Sequence, residues 1–227
     1  MRIVALSDMH GKLPKVPDCD ILIIAGDLCP VYNHTRSFQS NWLADVFNPW
    51  LCEINAVHKV VIAGNHDWIF YDAKGLVPKL GCTYLENNDT IIEGLKIWGS
   101  PWSIWFNDWA FNFERNSTAG AYRLWEQIPD GVDILITHGP SLGNGDIVYN
   151  AQGKDPQHVG DEILLEQVSR ARPKLHVFGH IHTADKSQDS RKSIIQHLEG
   201  SVTICYNVSV LDENYKLYPD KITIIEI

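Results

Sequence analysis

Leu175-His176-Val177-Phe178-Gly179-His180-Ile181-His182 is a short apolar run that stops at a glycine and opens onto two histidines. Near-continuous apolar runs of this length read as strands covered on both faces. The same arrangement recurs upstream. Arg2-Ile3-Val4-Ala5-Leu6-Ser7 leads into Asp8-Met9-His10, and Ile21-Leu22-Ile23-Ile24-Ala25 into Gly26-Asp27. Val60-Val61-Ile62-Ala63 leads into Gly64-Asn65-His66-Asp67, and Val132-Asp133-Ile134-Leu135-Ile136 into Thr137-His138-Gly139. Polar residues at the C-terminal ends of buried strands project into one crevice, where open α/β sheets place their ligands. Asp, His and Asn gathered there form the donor mixture that holds divalent metal ions. A lone Asp-x-His or Asn-His is an ordinary polar turn; the ordered set carries the reading.

Composition bounds the rest. The chain of 227 residues fits one domain spanning 1–227 with a sizeable core. Its five cysteines, Cys19, Cys29, Cys52, Cys82 and Cys205, are odd in number and lack Cys-x-x-Cys spacing. That argues against a disulfide framework or a zinc ribbon and for a reducing compartment. Met1–Ser7 reads as strand rather than a cleavable signal, and no apolar stretch approaches a membrane span. A cytoplasmic location without membrane partners is expected. The net charge of −9 and the lack of a Lys/Arg cluster argue against gripping long nucleic acid. Arg170-Ala171-Arg172-Pro173-Lys174 reads instead as a helix C-terminus carrying dipole-favoured cations.

From Asp8 to His182 the ordered signature resembles the calcineurin-like metallophosphoesterase superfamily. Gly99-Ser100-Pro101-Trp102, Trp105-Phe106, Trp109-Ala110-Phe111-Asn112 and Ile134-Leu135-Ile136-Thr137-His138-Gly139-Pro140 look like the metallophosphoesterase-domain-containing proteins of animal brain and their microbial relatives. His176–His182 looks like that subgroup too. The resemblance implies an α/β fold, a four-layer α-β-β-α sandwich of two mixed sheets with a metal site at strand C-terminal ends.

It also implies the chemistry. Asp8, His10, Asp27 and His182 would hold a first ion, and Asp27, Asn65, His138 and His180 a second, with Asp27 bridging. Such ions stand about 3.5–4 Å apart and clamp the attacking and leaving oxygens of an in-line displacement. Water shared between them loses a proton near neutral pH and becomes the nucleophile. His66 takes the part of general acid or leaving-group stabiliser, with Asp67 orienting its ring. Imidazole, carboxylate and amide donors suit Mn²⁺, favoured here, or Fe²⁺, Zn²⁺ or Co²⁺, better than an all-oxygen Mg²⁺ cage.

Departures from relatives narrow the expectation. Phosphoprotein phosphatases carry arginines after Gly-Asp and immediately before Gly-Asn-His, where this chain has Leu28-Cys29-Pro30 and Ala63. Purple acid phosphatases place a tyrosine ligand where this chain has Pro30. The expected activity is therefore a phosphodiesterase hydrolysing small nucleotide-like or organic diesters. A phosphomonoesterase or phosphoprotein phosphatase is the rival, and a non-catalytic scaffold of the same fold is the rival from another class.

Remaining features fall around the motifs. The spacing of Phe38, Trp42, Leu43, Val46 and Phe47 predicts a helix over Arg36–Trp50, ended near Pro49. Glu93-Gly94 predicts a hairpin turn, Ser117–Gln127 and an Asp161-capped Asp161–Ala171 predict helices, and Val202–Tyr206 and Ile222–Ile225 predict late strands. His176, inside an apolar strand, reads as a packed core histidine, while His34 and His158 lie on loops that border the crevice. The Trp102–Trp109 segment reads either as packing or as a rim on which a nucleobase stacks. Asn207-Val208-Ser209 is a further expected crevice contact.

Overall fold

A computed structural model describes residues 1–115, 117–149, 155–182, 191–218 and 221–227. Among them, two large sheets dominate. The first orders its strands Thr223–Glu226, Arg2–Leu6, Cys19–Ala25, Ala56–Ile62 and Thr83–Tyr84. All run parallel except Thr223–Glu226, which closes the edge antiparallel to Arg2–Leu6. The second orders Lys192–Gln196, Val202–Asn207, Leu175–Phe178, Ile134–Thr137, Leu95–Ser100 and Asn88–Ile92. Its inner strands are parallel and both its edge strands antiparallel. Both sheets are therefore mixed, and the parallel strands are the ones the motifs follow.

The β-branched runs explain why the sheets face each other. Alternation along a strand sends Ile3, Ala5, Ile21, Ile23, Val60 and Ile62 to one side of the first sheet, against Ile97, Ile134, Ile136 and Val177 of the second. The opposite side of the first sheet, with Val4, Leu6, Leu22, Ile24 and Val61, packs on Trp42, Leu43, Phe47, Leu51 and Ile69 from helical segments. Trp98 and Leu135 on the outer side of the second sheet meet Ala121, Trp125, Leu164 and Val168 of helices Thr118–Trp125 and Glu162–Ala171. Both faces of each sheet are thus apolar, and four layers result. Each fully buried isoleucine contributes about 1.5–3 kcal/mol over its exposed state.

Local readings fare differently. Asp161 caps its helix as expected, its Oδ1 accepting from the N–H groups of Ile163 and Leu164 at 2.8 and 3.1 Å. Glu93 and Gly94 both take positive φ, 52° and 80°, the geometry of the tightest hairpins. The helix expected to end near Pro49 runs past it. Arg36–Trp42 is α-helical, Leu43–Phe47 widens into a π-helical turn, and Asn48–Glu53 resumes the α-helix. Proline lacks an N–H and its ring crowds the carbonyl four residues back. The wider turn just ahead of Pro49 accommodates that clash without ending the helix. Arg170 and Arg172 lie at the end of Glu162–Ala171, paired with Asp130 and Glu199, and Lys174 just beyond pairs with Asp133. No helix among the described residues is long and apolar enough to cross a membrane.

His176 is buried on the helix-covered face of the second sheet, its ring 4.9 Å from that of Phe178. The Thr137 hydroxyl donates to the Gly139 carbonyl (2.7 Å), so it accepts from His176 Nε2–H (2.8 Å). Nδ1 is left bare, without a hydrogen-bond partner among the described residues. Burial pushes the His176 pKa down from 6.5 to about 3. The unfolded chain therefore binds a proton that the folded chain refuses. This contribution to stability is intact above about pH 6.5 and is lost on acidification toward pH 3, by up to about 1.4 kcal/mol per pH unit. His176→Gln keeps a donor for Thr137 and removes the titration. Urea unfolding at about pH 7.5 and about pH 5 should show a smaller acid loss in this variant than in the wild type. Identical losses would show that His176 is not buried neutral.

Candidate metal centre

The strand ends converge because their loops are laced together. The Asp8 N–H donates to the Gly26 carbonyl (3.0 Å), His10 N–H to Asp27 (3.0 Å) and Gly11 N–H to Leu28 (2.9 Å). In the second sheet His138 N–H donates to Ser100 (3.1 Å) and Gly179 N–H to His138 (2.9 Å). Ser7 ties one sheet to the other, donating to Val208 (3.0 Å) and accepting from Val210 (3.1 Å). Asn207, expected as a crevice contact, works from behind: its amide donates to the carbonyls of Ile181 (2.9 Å) and Gly145 (3.2 Å) and braces the Gly-His-Ile-His loop.

Backbone strain concentrates here. Asp8, His10, Asp27 and His180 all adopt left-handed φ, at 54°, 45°, 53° and 67°. Each costs on the order of 1 kcal/mol or more and persists only where its surroundings over-determine it. The motif glycines have a steric reason. A Cβ on Gly179 would strike Ser7 Oγ and the Asp8 carboxylate, and one on Gly64 would strike the Asp27 carboxylate and backbone.

Asp8, His10 and His182 each offer a ligand atom within 4.8 Å of the others, as do His10, Asp27 and His66, and Asp8, Asp27 and His138. Asp8, His10 and Asp27 each belong to two of these groups, and the Asp27 carboxylate stands between the two histidine sets. Its Oδ1 accepts the His66 N–H at 2.8 Å, while Oδ2 lies 3.5 Å from both His10 Nε2 and His138 Nε2. His138 Nδ1 is 2.9 Å from the Ala25 carbonyl and must donate to it, which leaves Nε2 as a lone pair. That lone pair faces Asn65 Oδ1 at 2.7 Å, and His180 Nδ1 faces the same oxygen at 2.9 Å. His10 Nε2 and His182 Nε2 face each other at 3.2 Å. The Asn65 amide nitrogen, buried, has no partner among the described residues; its oxygen is turned inward at that cost. Acceptors brought this close repel unless a cation or proton stands among them, so the donor set fits divalent metal ions.

Protonation follows the same field. Burial raises the Asp8 carboxyl, but the hydrogen bond and charge of His182 more than offset this and hold it at about 2. Asp27 is likewise driven well below the carboxylate range, the imidazoles of His138, His66 and His10 outweighing burial. Burial pushes His10 and His180 down to about 3, keeping them neutral with lone pairs available. For His138 burial is outweighed by Asp27 and Asp8, and its pKa rises to about 9. Without a metal, the carboxylates recruit a proton on His138 instead.

One expected role does not survive. Asp67 does not reach the His66 ring. Its carboxylate accepts the backbone N–H groups of Leu28 (3.0 Å), Cys29 (2.8 Å) and Gly64 (2.8 Å), stitching the loops of Asp27 and Asn65 together. Its position at the start of helix Trp68–Asp72 turns it back toward those loops. His34 takes the place at the His66 ring, with Nε2 3.2 Å from His66 Nδ1. Gln39 braces the same loop, donating to the His66 carbonyl (2.7 Å) and accepting from Ile69 N–H (2.9 Å). It was legible only as a polar residue among Trp42, Leu43 and Phe47 on a buried helix face.

A cleft of about 640 Å³ opens over the cluster, walled by Trp102, Trp105, Phe106 and Trp109 on one side and by Tyr149 and Tyr215 elsewhere. Trp109 packs on His66 at 4.3 Å between ring centres. Trp98 and Trp125 are core, so the tryptophans divide between packing and rim. Arg115 lines the cleft, its guanidinium donating to the carbonyls of Val159 (2.6 Å) and Gly160 (3.3 Å). Arg36 turns away to Asp72, over the Trp68 ring. His158 stands outside the cleft lining, bound to the buried Asp146 at 2.7 Å. Tyr215 belongs to no motif, and nothing in its sequence neighbourhood marks it.

Residues 1–184 match the protein family described as calcineurin-like phosphoesterase. The chain is 36% identical over 209 residues to metallophosphoesterase domain-containing protein 1 of Homo sapiens, covering 80% of this chain and 60% of that one. It is 35% identical over 205 residues to a UPF0046 protein of Caenorhabditis elegans, covering 80% and 69%. The chain thus spans about 60% of the length of its human and mouse relatives. A solved crystal structure shares the fold with a TM-score of 0.55 at 15% identity, over 91% of this chain and 89% of its own.

Because Asp27 Oδ2 lies between His10 of the first ligand set and His138 of the second, 3.5 Å from each, Asp27→Asn should lower occupancy of both ions, whereas His182→Ala should mainly weaken one. Gly179→Ala, which forces a Cβ against Asp8, should also reduce metal content while leaving the core intact. Elemental analysis after gel filtration measures all three. Two tightly held ions in the Asp27 variant would overturn the bridging assignment.

Proposed function

The chain belongs to the calcineurin-like phosphoesterase family, and from that premise we propose that it is a metal-dependent phosphoester hydrolase preferring small phosphodiesters. The observation that carries the reading is the convergence of His138 Nε2, His180 Nδ1 and Asn65 Oδ1 beside the shared carboxylate of Asp27. Asp8, His10, Asp27 and His182 would hold one ion and Asp27, Asn65, His138 and His180 the other, the mixture of imidazole with carboxylate and amide oxygen suiting Mn²⁺, Fe²⁺, Zn²⁺ or Co²⁺, of which Mn²⁺ is favoured. Ions so held supply Lewis acidity toward a phosphoryl oxygen and acidify bound water.

The protein's own groups complete the site. The His66 ring borders the cleft, 5.0 Å from that of His10, with Nδ1 committed to His34. Nε2 remains to serve a leaving oxygen. Trp109 on the face of that ring limits its rotation and excludes water. A monoester dianion needs more positive charge than a diester. Arg115 in the cleft wall is engaged by two carbonyls, and Arg36 is turned away. A singly charged diester asks for less, and its second arm finds Trp102, Trp105 and Phe106, where stacking of a base or aryl group contributes about 1–3 kcal/mol.

Stripping metal with a chelator should abolish turnover, and Mn²⁺ should restore it. With the same metal and pH, kcat/KM should be higher for bis-p-nitrophenyl phosphate or a 2′,3′-cyclic nucleotide than for p-nitrophenyl phosphate. The reverse order would refute the diester preference, and an inert metal-loaded protein would favour a binding scaffold. His66→Ala should keep both ions and slow turnover roughly 10²–10⁴-fold, more for an alkoxide than for p-nitrophenolate leaving groups. Equal losses for the two would remove His66 from proton donation.

A further inference from the structure

Tyr215 reaches the site from outside every motif. Its ring lies edge-on to both imidazoles on the first-ion side, 5.1 Å from His10 and 5.3 Å from His182. His10 is thereby flanked, with His66 against one side and Tyr215 against another, and both flanking rings line the cleft. The backbone at Tyr215 is left-handed, φ 57°, an uncommon conformation for a bulky residue.

That conformation is built and not incidental. Asp212 organises the turn: its carbonyl accepts Tyr215 N–H (2.8 Å), and its Oδ1 accepts the N–H groups of Asn214 (2.9 Å) and Lys216 (2.8 Å). Its Oδ2 accepts the Tyr218 hydroxyl at 3.1 Å. Lys12, just beyond His10 in the first motif loop, donates its ammonium to the Tyr215 carbonyl. The turn is thus fastened to the loop that carries Asp8 and His10. The Tyr215 hydroxyl has no hydrogen bond to any described residue, which leaves a free donor on a side chain that lines the cleft.

We infer that Tyr215 is a substrate-contacting residue, its hydroxyl donating to a non-bridging oxygen of the phosphoryl group on the first-ion side. The inference rests on the reading of this cleft as a phosphoester site. A phenol suits the purpose: it is protonated at neutral pH and donates without adding charge. It would supply orientation where neither Arg36 nor Arg115 contributes a free guanidinium.

The test uses the full-length protein reconstituted with Mn²⁺ and titrated with inorganic phosphate by calorimetry, alongside turnover of bis-p-nitrophenyl phosphate. Tyr215→Phe keeps the ring and removes the donor. It should retain wild-type metal content while weakening phosphate binding and lowering kcat/KM, each by about 10–100-fold. Tyr215→Leu, which also removes the ring, should bind phosphate no better than Tyr215→Phe. Wild-type phosphate affinity in Tyr215→Phe would overturn the inference, as would loss of metal from that variant, which would make the residue a prop for His10 and His182. If the wild type binds phosphate, Tyr215→Phe weakens it, and no phosphoester is turned over, the contact stands and the hydrolase reading falls.

Discussion

Two carboxylates buried side by side set the terms for this fold. Asp8 and Asp27 are 0% and 2% exposed, and burial alone would drive both toward the neutral acid. They stay ionised because imidazoles surround them and because the site is shaped to collect positive charge. Buried charge is tolerated only when paired or bound to metal. The Asn65 oxygen, faced by ring nitrogens of both His138 and His180, makes the same demand. Remove the cation or proton from among them and the arrangement is repulsive.

Much of the surrounding structure answers that demand. The parallel strands of both sheets end on the same side, so their loops meet at the seam, and backbone hydrogen bonds lock those loops to each other. Strained φ values at Asp8, His10, Asp27 and His180 are the local cost of aiming the side chains inward. The facing isoleucine-rich layers hold the sheets in the relation that makes the strain affordable. Asp67, Gln39 and Asn207 do not line the cleft over the cluster; they hold the backbone from behind, at the three loops that bring in Asp27, Asn65 and His180.

The buried strands were legible in the sequence because the runs near Ile3, Ile23, Val61, Ile136 and Val177 are short and apolar at consecutive positions, as strands covered on both faces are; their arrangement in two facing sheets was implied by the resemblance, not by the runs. Asp161 was legible as a helix cap for an equally local reason. The ligand-bearing motifs were legible as residue types at strand ends. Asp67 was misread because adjacency to His66 along the chain says nothing about where a carboxylate turns once a helix begins at Trp68. Pro49 was misread because a widened turn can absorb a proline that a regular helix cannot.

By itself, the sequence determined which residues can bind metal and that they lie at strand ends, since residue chemistry and period are local properties. It also determined that glycine precedes Asp27, Asn65 and His180, although not why. Only the tertiary structure decided that Asp27 Oδ2 stands equally far from His10 and His138, that His34 rather than Asp67 meets the His66 ring, and that Tyr215 closes over His10 and His182. Those relations join segments far apart in the chain. They depend on the packing of one sheet against the other and on the loops that packing brings into contact, which no local pattern encodes.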